Sequence, residues 1–187
     1  MFLKIGITLP GSGNPTADEI SCEGKLIKCF LAQKKIDIVH IRKPDWSREE
    51  TEALINSISS DLHTRIKLHD HFSLLNRFDL GGVHLNSRNP VPPSNARSVS
   101  KSLHSIAELM ATCGTCYDYV TLSPIYDSIS KPGYNSPFPE DLSSLTPFIV
   151  GKNVVALGGV TPERLPFLES IGFYGAAMMG ALWNEPC

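Results

Sequence analysis

The stretch Asn153-Val154-Val155-Ala156-Leu157-Gly158-Gly159-Val160-Thr161-Pro162 reads as a short buried strand, a double-glycine turn and the start of a helix. An unbroken Val, Ala and Leu run suits a strand covered on both faces, as in a parallel sheet. Thr161 stands at the N-cap position, Pro162 at the first helical position, and the helical pattern runs to residue 171. Residues 176–179 then supply another apolar strand. Strand, helix and strand in that order make one βαβ unit.

Toward the N-terminus the same alternation recurs, with residues 3–9, 36–42, 65–69, 82–85, 99–104 and 117–126 reading as earlier strands. Between the first two, a helix entered through Asp18 carries Ile20, Leu26, Ile27, Phe30 and Leu31 at helical spacing. Ser47 followed by Glu50 forms a capping box for the next helix, whose apolar face is Leu54, Ile55 and Ile58. Shorter helices are expected at 73–78, 105–113 and 142–148. The connection 86–97 holds three prolines and little apolar periodicity, so its crossover is rudimentary. The last helix is clipped, because few residues follow strand eight. The pattern predicts a compact α/β fold of the (β/α)8 TIM-barrel type as a single domain over residues 1–187. An open flavodoxin-like sheet typically needs only about five strands. Residues 127–139, a polar loop rich in Gly, Ser and Pro, read as a lid.

Composition narrows the function. With 42% hydrophobic residues the 187-residue chain can bury a core, and 17 Lys+Arg against 19 Asp+Glu give a net charge of −2. No basic stripe forms, so nucleic acid is not an expected partner. The N-terminus lacks signal-peptide order and no apolar run reaches membrane length, which makes a cytoplasmic location the expectation. Five scattered cysteines are expected to be reduced. Cys113-Gly114-Thr115-Cys116 has redox or zinc spacing but no second pair, and reads as two small residues closing a helix.

In a parallel barrel the chemistry gathers where strands end, so the residues at those ends are the candidates. Strand two ends in His40-Ile41-Arg42, with His40 and Arg42 on one face. Arg42 is either a structural partner of Asp70 or a clamp for an anion, because a buried guanidinium needs one or the other. Strand three ends in His69-Asp70-His71, strand four carries His84, and strand five ends in Ser102-Leu103-His104. Ser128, Ser130 and Lys131 follow strand six, where Lys131 either closes over an anion or is a solvated lysine. Gly158-Gly159, together with Gly180 after strand eight, offers bare backbone N–H groups for a phosphate. Asp70 could hold Mg2+ if substrate phosphates complete the coordination.

With these ends placed, the chain resembles the thiamine phosphate synthase family and its relatives, the TenI-type thiazole tautomerases. Val39-His40-Ile41-Arg42, Leu68-His69-Asp70-His71, Gly82-Val83-His84-Leu85, Ser102-Leu103-His104-Ser105, Ser123-Pro124-Ile125-Tyr126, Ser128-Ile129-Ser130-Lys131 and Ala156-Leu157-Gly158-Gly159-Val160 match family segments in order. The resemblance implies a transferase that joins hydroxymethylpyrimidine diphosphate to thiazole phosphate and releases diphosphate. Arg42, His69, His104 and Lys131 would be catalytic. His40, Ser102, Ser128, Ser130, Gly158, Gly159 and Gly180 would bind substrate, with Asp70 on Mg2+. The partners implied are the two phosphorylated substrates, with a homodimer left open. A thiazole tautomerase and a non-catalytic thiazole phosphate-binding protein are the alternatives. The chain departs from the family at His69, His71, Pro44 and Asn89, which stand where the family has Asn, Arg, Lys and a second metal-binding Asp. Pro124 stands where the tautomerases have a catalytic His.

Overall fold

In a computed structural model describing residues 1–112, 117–127 and 136–184, parallel strands β1 to β8 pair in chain order and β8 closes on β1. The strands are β1 (Leu3–Ile7), β2 (Ile38–Ile41), β3 (Ile66–Leu68), β4 (Gly82–Leu85), β5 (Val99–Leu103), β6 (Tyr119–Leu122), β7 (Val154–Leu157) and β8 (Gly175–Met178). Each lies within an expected strand or a residue beyond it, and the closed barrel agrees with the sequence reading. The helices are α1 (Ala17–Ala32), α2 (Arg48–Ser57), α3 (Ile106–Ala111), α4 (Thr146–Ile149), α5 (Leu165–Ser170) and α6 (Gly180–Trp183). No helix follows β4, and α6 is a single turn, as the proline-rich connection and the short end suggested. No helix among the described residues is long and apolar enough to cross a membrane.

Helix ends follow local chemistry. Ser47 and Glu50 satisfy each other's backbone N–H groups at 2.6 and 3.1 Å. Thr16 and Glu19 do the same at the start of α1, so the helix is capped two residues before the Asp18 entry expected from sequence. Thr161 does not cap through its side chain; a 3-10 turn, Pro162–Arg164, precedes α5 instead. The segment expected as a helix at 73–78 is a 3-10 turn, Phe72–Asn76. Cys22 is free and exposed, whereas Cys29 is disulfide-bonded, so the expectation of reduced thiols fails there. The Cys113–Cys116 motif lies outside the described residues.

The outward faces of the strands, among them Val39, Ile41, Ile66, Leu68, Leu122, Val154 and Ala176, pack against the helices in the main hydrophobic core. The barrel interior is divided. From β7, β8 and β1, Val155, Ala177, Ile5 and Ile7 form a small apolar cluster with the Tyr119 ring. From β2 to β6 the inward positions carry His40, Lys67, His84, Ser100, Ser102, Tyr119 and Thr121, set level by the registers His40↔Lys67, His84↔Ser100, Ser100↔Tyr119 and Ser102↔Thr121. Burying so many polar side chains is tolerable only where they satisfy one another, and that requirement shapes the site above them.

Candidate active site

The polar half of the interior is a hydrogen-bonded lattice. His40 Nδ1 lies 2.9 Å from His69 Nε2, and its Nε2 lies 2.5 Å from the Tyr119 hydroxyl. His84 is held between Ser100 and Ser102, with Nδ1 2.9 Å and Nε2 2.8 Å from their hydroxyl oxygens. The Lys67 ammonium donates to Ser100 Oγ at 3.4 Å and sits over the Tyr119 ring at 4.4 Å. Burial pushes His40 and His69 well below the usual histidine range, with smaller contributions from nearby charge, and lowers His84 to about 3. Lys67 falls to about 8, again chiefly through burial. All three imidazoles are therefore neutral at neutral pH.

Above this floor a cavity of about 830 Å3 opens at the C-terminal mouth of the barrel. Arg42, His69, Ser102, His104 and Gly158 all line it, so five sequence candidates from β2, β3, β5 and β7 converge. Arg42 is anchored through its backbone, its N–H donating to Thr8 Oγ1 at 2.8 Å and its carbonyl accepting from the same hydroxyl at 3.2 Å. Its guanidinium faces the cavity without a carboxylate partner among the described residues, which favours the anion-clamp reading over pairing with Asp70. The neighbouring Lys43 turns away to Glu23 at 2.7 Å and to the Leu9 carbonyl at 2.7 Å. His104 stands exposed at the rim, its Nδ1 3.1 Å from the Ser123 carbonyl oxygen. His40 lies beneath the floor rather than on the cavity wall.

Asp70 pairs with Arg88, a residue not singled out from sequence. Arg88 Nη2 lies 3.0 and 3.2 Å from the two carboxylate oxygens, and Asn89 Nδ2 donates to Oδ1 at 2.8 Å. Asn86 and Asn89 also donate to the His69 carbonyl at 2.9 and 3.0 Å, tying the 86–97 connection to the end of β3. Magnesium needs an octahedron of oxygens. Asp70 offers one carboxylate already engaged by a guanidinium and an amide, and the only metal-type cluster of His, Cys, Asp and Glu among the described residues does not include it. This donor set does not fit Mg2+.

After β7, Gly158 and Gly159 have φ of +94° and +62°. A Cβ on Gly158 would lie 2.7 Å from Pro124, and one on Gly159 would lie 2.5 Å from the Asp127 carbonyl oxygen. Positive φ and close backbone contact both require glycine here. Gly180 begins α6 directly after Met179, which lines the cavity, and a Cβ there would meet nothing within 4 Å. Ser128, Ser130, Lys131 and most of the expected lid lie outside the described residues.

A family model described as Thiamine monophosphate synthase matches residues 16–182. The crystal structure of thiamine phosphate pyrophosphorylase from Bacteroides thetaiotaomicron is 34% identical, covers 100% of this chain and 87% of its own, and superposes with a TM-score of 0.77. Thiamine phosphate pyrophosphorylase from Pyrococcus furiosus, 15% identical, shares the fold at TM-score 0.67 over 96% of this chain and 86% of its own. The thiamine-phosphate synthase of Synechococcus sp. (strain CC9605) is 28% identical over 148 residues, which is 75% of this chain and 42% of that protein. The putative thiamine-phosphate synthase of Geobacter sulfurreducens is 26% identical over 129 residues, 65% of this chain and 60% of that one. The chain thus spans only about half the length of these two curated relatives.

Proposed function

This chain belongs to the thiamine monophosphate synthase family, and from that premise we propose that it joins a pyrimidine methyl diphosphate to a thiazole phosphate, releasing diphosphate. The observation that carries the reading is the lining of the cavity: Arg42, with no carboxylate partner among the described residues, stands at the end of β2, and the bare glycine turn at Gly158 at the end of β7. That separation supports a separate seat for each of two anions.

In the proposed reaction the methyl carbon–oxygen bond breaks, diphosphate leaves with the electron pair, and the thiazole nitrogen supplies the pair that forms the new carbon–nitrogen bond. No side-chain nucleophile is required. Arg42 stabilises the charge that grows on the leaving diphosphate, an interaction strongest in the transition state. Arg88, its charge largely offset by Asp70, lines the same cavity and can offer it further N–H donors. The Gly158-Gly159 turn and Gly180 hold the thiazole phosphate so that its nitrogen lies in line with the methyl carbon. Ser102 and His104 contribute hydrogen-bonding groups to the wall between. The tautomerase alternative has less support, because Pro124 lines the cavity at the position of the missing catalytic histidine.

The test is to incubate the purified chain with both substrates and follow thiamine phosphate and diphosphate. Equimolar appearance of the two is expected. Neither product at high enzyme concentration would overturn the reading, and thiazole phosphate binding without turnover would support the binding-protein alternative.

A further inference from the structure

The mechanism leaves the three buried histidines without a task. His40, His69 and His84 come from adjacent strands β2, β3 and β4, and one ligand nitrogen of each lies within 4.8 Å of the others. Ring centroids are 4.4 to 5.1 Å apart. We infer that these three side chains form a binding site for a zinc-class transition metal ion in the floor of the cavity. The site does not depend on the transferase reading.

Tetrahedral zinc with Zn–N bonds of about 2.0–2.1 Å places its ligand nitrogens about 3.4 Å apart. The His40 Nδ1 to His69 Nε2 distance of 2.9 Å must open by about 0.5 Å, and the widest nitrogen pair, within 4.8 Å, must close by up to about 1.4 Å, for three lone pairs to face one ion. The outer contacts are already those a metal-bound imidazole uses. His40 Nε2–H can donate to the Tyr119 hydroxyl, which fixes Nδ1 as the ligand atom. His84 exchanges one of its two serine hydroxyls for the ion and keeps the other as the partner that orients its ring. Three imidazoles suit zinc-class ions, whereas Mg2+ prefers oxygen. The fourth position opens toward the cavity, which His69 and Ser102 both line, so water or an anionic oxygen can complete the tetrahedron. Thr121 Oγ1, fully buried and level with Ser102, is the buried side-chain polar atom that lacks a partner among the described residues. It marks an unfilled polar demand in this half of the interior. The opposing cost is the Lys67 ammonium close by, whose charge repels the ion.

The test is metal titration of the intact, substrate-free protein with Zn2+ and Co2+. One equivalent of Zn2+ should survive dialysis, and Co2+ should give the intense visible bands of a four-coordinate ion. His69→Asn should weaken Zn2+ binding about 100-fold or more, as loss of a ligand requires. Lys67→Met should tighten it, and His104→Gln, which changes an exposed histidine, should leave it unchanged. If His69→Asn does not fold, His69→Gln and the wild-type cobalt spectrum decide. Absence of stoichiometric binding, a six-coordinate cobalt spectrum, or loss with His104→Gln would overturn the inference.

Discussion

Arg88 reaches from the loop after β4 to Asp70 at the end of β3, Nη2 standing 3.0 Å from Oδ1, and so occupies the carboxylate on which a divalent ion would depend. The pair is partly exposed, so it adds little stability and acts by holding the Arg88 N–H donors at the mouth. Arg88→Ala should raise KM for the diphosphate substrate several-fold while leaving the melting temperature nearly unchanged. Steady-state kinetics alongside thermal unfolding check this.

Arg42 is the guanidinium left for the leaving group. Arg42→Ala should lower kcat by about 100-fold, the usual effect of removing one charge-stabilising donor, with Arg42→Lys recovering only part because an ammonium lacks the planar fork. A change in KM alone would mean that Arg42 binds the ground state and transition state equally.

Gly158→Ala places a Cβ against Pro124 at a φ of +94°, so strain and clash coincide. The expected loss is about 2–3 kcal/mol of stability, together with loss of thiazole phosphate binding. Gly180→Ala, where the space is open, should fold normally, and denaturant titration separates the two.

The buried histidines predict acid lability. His84 has a folded pKa of about 3 against 6.5 when exposed, so between these values the unfolded chain binds the extra proton. Its contribution is complete above pH 6.5 and is lost as pH falls toward 3, with His40 and His69 acting in the same direction. Lys67, at about 8 against 10.5, makes the folded state more stable as pH rises from 8 to 10.5, because only the unfolded chain stays protonated there. Stability measured against pH should therefore fall steeply below pH 6.5, less so in His84→Gln, and the rise above pH 8 should be absent in Lys67→Met.

How much of this was legible in the sequence depends on range. The strands were, because each apolar run is local and bounded by turn residues, and the convergence of Arg42, His69, Ser102, His104 and Gly158 followed from placing strand ends at one barrel mouth. The interior lattice was not. Lys67, Ser100 and Tyr119 look like ordinary polar positions in strands, and only the registers across β2 to β6 bring them level with His40 and His84. Arg42 and Asp70 both stand at strand ends, which leaves pairing with each other or an anion clamp open from sequence; Arg88 lies in a proline-rich connection with no period to place it. The Thr16 and Glu19 box was within reach of the sequence and needed only the Thr-x-x-Glu spacing.

The central claim is that the two sides of the mouth hold two different anions. A crystal structure with thiazole phosphate and diphosphate tests it most directly. The thiazole phosphate group is expected on the backbone N–H groups around Gly158, Gly159 and Gly180, and the diphosphate on Arg42. Both anions on one side, or the thiazole phosphate seated on Arg42, would contradict it.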